Sequence, residues 1–160
     1  ECLFNLETIT CFDNRERVFE LAKGNLNGAV FGRVDFSGSK NMSRDSINDE
    51  NITKDVVTIS KMTKENNLDY VVGGGVSIDA IPALKEIKTH NLTRFETRKI
   101  VFSGEALDIT NISSGLLKAI EFELNWLKNK RAFYETIFNE DKNRIDMLES
   151  RWQKLLDENS

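Results

Sequence analysis

The sequence predicts an α/β fold on a parallel sheet, and three observations carry that expectation. Apolar runs of strand length alternate with amphipathic helical stretches four times before about residue 125. Glycines and charged residues fall at or near the ends of these runs, where the loops at a sheet rim begin. At 160 residues, with 39% apolar and 30% charged side chains, the chain can bury one substantial core. A closed barrel of eight strand–helix units needs about 250 residues. Four units therefore make either a small open sheet or half of a barrel.

The elements follow in order. A first strand runs from about residue 2 to 9, with Leu3, Asn5 and Glu7 on one face and Phe4, Leu6 and Thr8 on the other. Asp13 can cap a helix over "NRERVFELAKG", where Val18, Phe19 and Leu21 give the apolar stripe and Gly24 the stop. The second strand is "GAVFGRVD", followed by a long polar loop, "FSGSKNMSRDSINDEN". A helix from about Ile52 to Asn67 turns Val56, Ile59, Ser60 and Thr63 to one side. The third strand is "DYVVGG". Ser77 or Asp79 then starts a helix to about Lys88, with Pro82 in its first turn. The fourth strand is "RFETRKIVFSG".

Beyond these units the pattern changes. Leu116, Ile120, Leu124, Leu127 and Phe133 or Tyr134 stand at helical spacing, and so do Ile145, Leu148, Trp152 and Leu155 after a possible cap at Asn139. The spacing predicts two helices joined by a tight turn, a hairpin that packs on the domain or on a second subunit. The expected division is residues 1–110 for the sheet units and 111–160 for the helices.

A net charge of −4 argues against nucleic acid, which needs clustered Lys and Arg. No apolar run reaches the length of a membrane span, and no signal peptide is visible. Cys2 and Cys11 lack metal-ligand spacing and read as free thiols, which points to a reducing, cytoplasmic setting. Glu1 enters a strand almost at once, so a piece of a longer chain is expected.

Ligands in parallel α/β folds meet the carboxyl ends of the strands. Glu7 ends the first strand and Asp35 the second, so two carboxylates on adjacent strands can share a hard divalent cation. Such an ion could chelate a 2-keto acid and stabilise its enolate. The plainer alternative is a helix cap or a salt bridge to Arg33. Gly73, Gly74 and Gly75 expose backbone N–H groups before a helix and suit a phosphate or carboxylate; a tight turn without ligand is the alternative. The alternating charges of "FETRK" read as internal ion pairing, His90 as a solvent-facing residue, and Trp126 and Trp152 as packing residues.

"LETIT", with "GRVDFSGS" bringing a second acid 28 residues after the first, resembles the HpcH/HpaI aldolase and citrate lyase β-subunit family. In that family a Glu-Thr motif ends the fifth strand of a phosphoenolpyruvate/pyruvate barrel, and a Gly-x-x-Asp-Leu-Ser motif ends the sixth. The resemblance covers residues 1 to about 125. It implies four parallel βα units forming the C-terminal half of a (β/α)8 TIM barrel. It also implies a metal-dependent carbon–carbon lyase, with Glu7 and Asp35 as ligands of Mg2+ or Mn2+. Arg33 would serve in catalysis and bind the substrate anion with Ser37, while Gly73 to Gly75 line the site. The partners expected are a small keto acid and further copies of the chain, joined through the C-terminal helices, with neither nucleic acid nor membrane. Arg33 and Val34 depart from the family's Pro and small residue, and Phe36 replaces Leu. The family takes its substrate-clamping arginine and catalytic base from the first half of its barrel, so these residues alone are expected to be inactive. The rival readings are an inactive assembly module of barrel origin and a phosphate-binding barrel fragment.

Overall fold

A computed structural model describes residues 1–159. Ser160, the last residue of the expected helical domain, lies outside the described residues. Five strands form one sheet in sequence order: β1 (Leu3–Leu6), β2 (Gly28–Gly32), β3 (Asp69–Gly73), β4 (Arg94–Glu96) and β5 (Val101–Ser103). The first four are parallel, and β5 returns antiparallel to β4. Between them lie α1 (Ile9–Asp13), α2 (Arg15–Ala22), α3 (Arg33–Ser39), α4 (Glu50–Glu65) and α5 (Ile81–Lys88), and α6 (Ile112–Glu158) closes the chain. Short 3-10 turns at Arg44–Asn48, Ile78–Ala80 and Gly104–Asp108 complete the connections.

Strand alternation divides the sheet into two unlike faces. Leu6, Phe31, Val72 and Phe95 pair across four strands in one row, and all four are completely buried. They share a single apolar cluster with Phe19 of α2, Ile52, Val56 and Ile59 of α4, and Leu84 and Ile87 of α5. Tyr70 lies on the same face, and its hydroxyl donates to the Val56 carbonyl at 2.9 Å. The cost of burying that polar group is thereby met. The opposite face carries Leu3, Asn5, Glu7, Val30, Asp69, Arg94 and Glu96, none of them buried, together with Val71, which is buried. Arg94 bridges Glu1 and Asp69 there at 3.0 and 3.1 Å.

Several expected boundaries move, each for a local reason. The second strand stops at Gly32, and "RVDFSGS" becomes α3 rather than strand end and loop. The rest of the expected polar loop contains a 3-10 turn, which Ser43 caps by accepting from the Asp45 N–H. The single strand expected over "RFETRKIVFSG" is a hairpin, because Thr97 and Ile100 exchange backbone and side-chain hydrogen bonds across "TRKI". Phe95 and Phe102 then stack at 5.1 Å.

The expected C-terminal hairpin is replaced by one continuous helix. After Gly115 the sequence has no glycine and no proline, so nothing breaks α6, and Asn139 lies inside it. The chain forms two compact units, Glu1–Glu121 and the remainder of α6 from Phe122. In the first unit Ile112, Leu116 and Ala119 of α6 are buried. In the second unit every described residue except Glu123 is exposed. Among the described residues no helix is long and apolar enough to cross a membrane.

Candidate functional site

The carboxyl ends of β1 to β4 meet in a row of two acids and two glycines. Gly32 pairs with Gly73 in register, while Glu7 follows Leu6 on β1 and Glu96 ends β4. The acids lean inward over the glycines. A Cβ on Gly32 would stand 2.7 Å from the Glu7 Cγ and 2.8 Å from its Oε1. A Cβ on Gly73 would stand 3.1 Å from the Glu96 Oε1. Real side chains do not tolerate the first pair of distances, so glycine at 32 is what admits the Glu7 carboxylate.

Glu7 is half-buried and accepts a 3.3 Å hydrogen bond from the Asn5 amide. Asp35 does not end a strand. It occupies the first turn of α3, where its charge suits the helix dipole, and it is exposed. Among the described residues neither acid forms an ion pair, so the salt bridge to Arg33 considered from the sequence is not formed. Both acids are hard oxygen donors of the kind Mg2+ accepts, and that ion needs few protein carboxylates. Among the described residues no group of three or more His, Cys, Asp or Glu could hold a metal.

Arg33 has a different occupation from the anion contact expected of it. It is only 1% exposed, and its NH2 donates to the Gly74 carbonyl and its NH1 to Asn48 Oδ1, both at 2.9 Å. A longer contact, 3.4 Å, runs from Nε to the Gly73 carbonyl. Burial lowers its pKa to about 10, so at neutral pH it stays charged and braces the glycine loop against the 44–48 turn. Ser37 is likewise engaged: it is fully buried, and its hydroxyl donates to the Arg33 carbonyl at 2.8 Å.

The glycine run turns sharply at Gly74 and Gly75, whose φ angles are +82° and +64°. A Cβ on Gly74 would stand 2.7 Å from the Val34 nitrogen, so this loop packs directly on the start of α3. Its carbonyls at 73 and 74 face Arg33. Beside it, Arg44, Asn48, Gly75, Ser77 and Asp79 line a shallow pocket of about 290 Å3.

The structure thus brings Glu7 and the glycines to one rim, sets Asp35 three residues beyond that rim, and withdraws Arg33 and Ser37 into the packing. The sequence marked Glu96 within the alternating charges of "FETRK" but not as the counterpart of Glu7; the signal was its place after Phe95 in strict alternation. Asn48, which fixes Arg33, lay in a stretch whose polarity marked only a loop. No family model matches the chain, and neither a curated protein nor a solved structure matches it.

Proposed function

We propose that this chain is the C-terminal part of a divalent-metal-dependent carbon–carbon lyase, of aldolase or citrate lyase type, acting on a 2-keto acid or related carboxylate. The observation that carries the reading is Glu7: a half-buried carboxylate at the carboxyl end of a parallel sheet, over a glycine, with no basic partner among the described residues. The resemblance of "LETIT" and "GRVDFSGS" to the aldolase and citrate lyase motifs adds its weight to that geometry.

Half of a (β/α)8 barrel is the architecture this reading requires. Strands wound in sequence order, with apolar residues of α2, α4 and α5 against one face, support it, since a doubly wound sheet reverses its strand order. An opposite face that mixes apolar residues (Leu3, Val30, Val71) with Asn5 and Arg94 and carries acids at its carboxyl end fits a barrel interior near a site.

A cation on Glu7 and Asp35 would supply positive charge beside a keto-acid oxygen as electron density builds there. The chain's own residues do the rest. Gly32 leaves room for the Glu7 carboxylate, and α3 carries Asp35 in its first turn. Arg33 holds the Gly73–Gly75 loop against α3, fixing one wall of the site.

The test is thermal unfolding of the 160-residue chain with Mg2+ or Mn2+. The ion is expected to raise Tm, and Asp35→Ala or Glu7→Gln to abolish the increase. No metal-dependent shift in the wild type would sink the proposal.

A further inference from the structure

The second unit presents an apolar seam. Leu124, Leu127, Tyr134, Phe138, Ile145 and Leu148 are each between 48% and 66% exposed. Their positions fit alternating steps of three and four residues, the 3.5-residue repeat of a two-stranded coiled coil. Two charged residues fill the remaining places on the seam, Arg131 and Asp141. Among the described residues neither forms an ion pair within the chain. Charges at such positions cost stability and thereby select register and partner.

We propose that a second copy of this chain covers the seam, its α6 running antiparallel and centred on Thr136. In that register Leu124 faces Leu148 of the second copy, Leu127 faces Ile145, and Tyr134 faces Phe138. Arg131 faces Asp141 of the second copy, and two-fold symmetry repeats every contact, so both seam charges are neutralised together. The flanking positions agree. Lys128 meets Glu149 of the second copy, Glu135 meets Lys142, and Glu123 meets Arg151; Ile137 meets its own equivalent. One flanking pair, Lys130 with Arg144, is like-charged.

A parallel, in-register pair is the alternative that the sequence must be weighed against. It also has favourable flanks, Glu123 with Lys128, Lys130 with Glu135 and Arg144 with Glu149. Its seam, however, sets Arg131 on Arg131 and Asp141 on Asp141. Exposed flank pairs contribute little, whereas like charges facing each other in a desolvated seam oppose association strongly. The seam decides the direction. Because the complement to this charge pattern is the same helix reversed, the partner is this chain itself.

Sedimentation equilibrium of the full chain measures the association. The expected mass is twice 18.3 kDa. Asp141→Arg is expected to weaken the dimer about tenfold or more, and adding Arg131→Asp to restore it. A monomer at all concentrations, a D141R chain that dimerises as the wild type does, or a double variant without rescue would each overturn the proposal. Direction is read from a spin label on Ser150→Cys, in a chain with Cys2→Ser and Cys11→Ser. At 1.5 Å per residue, antiparallel helices centred on Thr136 hold the two labels about 40 Å apart. A separation near two helix diameters, roughly 20–25 Å, means parallel helices and overturns it.

Discussion

Replacing Arg33 separates a brace from an anion-binding residue. In the folded chain its guanidinium makes two charge-assisted hydrogen bonds of 2.9 Å, to Asn48 and to the Gly74 carbonyl. Each is worth about 1.5–3 kcal/mol. Against them stands charge burial, which lowers the pKa to about 10. That shift corresponds to about 3 kcal/mol at 1.36 kcal/mol per unit. Arg33→Met loses both bonds and escapes the burial cost, but it leaves the carbonyls of Gly73 and Gly74 without their donor. Buried acceptors left unsatisfied add about 1–3 kcal/mol. The net expectation is a loss on the order of 2–4 kcal/mol. Arg33→Lys keeps the buried charge but offers a single point donor where a planar fork reached three acceptors. It is therefore expected to destabilise at least as much as Met. Native-state hydrogen exchange at the amides of Phe31 and Val72 reads this in the first unit alone, unmixed with the second. If R33M exchanges within about 0.5 kcal/mol of wild type, the brace is refuted and Arg33 is available for a ligand.

Two other glycine positions and one ion pair extend the reasoning. Gly74→Ala places a side chain at φ +82° and 2.7 Å from a backbone nitrogen, so Tm of the first unit is expected to fall by roughly 5–10 °C in calorimetry. Gly32→Ala is different, because φ there is −89° and the obstructing group is the movable end of Glu7. It is expected to change stability by less than about 1 kcal/mol yet to remove the metal-induced rise in Tm, and a G32A chain that keeps the rise would show that Glu7 needs no such room. The Arg94 guanidinium, hydrogen-bonded to Glu1, holds that carboxyl below its ordinary 4.5. Near that pH the unfolded chain binds more protons than the folded one, so the stabilisation is complete above it and is lost as pH falls through the folded value. Glu1→Gln is expected to flatten this acid limb of the stability curve, measured by urea unfolding between pH 6 and roughly pH 3.

What the sequence made legible was what period and composition encode. Alternating β1 and the runs "GAVF" and "DYVVG" announced their strands, and the Val56, Ile59, Ser60 and Thr63 face of α4 emerged as spaced. The residues that misled were those whose role depends on a distant segment. Arg33 follows a buried strand, and nothing near it in sequence reveals that its acceptors lie 15 and about 40 residues away. "RFETRKIVFSG" alternates well enough for one long strand, and only the Thr97–Ile100 hydrogen bonds fold it back. The hairpin expected at the C terminus had no glycine or proline to make its turn; Asn139 was read as a cap where helical neighbours on both sides simply carry the helix through it. Asp35 was placed at a strand end because "GRVD" follows an apolar run, but the chain leaves the sheet at Gly32.

The segment from Gly32 to Asp35 shows how one short stretch can end a strand, brace a loop and expose an acid. Strand β2 ends on a residue without a side chain, and the neighbouring strand's carboxylate takes the space that a Cβ would have filled. The next residue, Arg33, spends its charge on the Gly73–Gly74 carbonyls, tying α3 to the end of β3. Two residues later Asp35 stands exposed in the first turn of the same helix. Were Arg33 to pair with Asp35 or Glu7 instead, the loop would lose its brace. The arginine is committed to backbone carbonyls and Asn48, and among the described residues neither acid has a salt-bridge partner. The division of labour is set by direction: the positive charge is turned into the packing, while Glu7 stays at the rim and Asp35 stands exposed on α3.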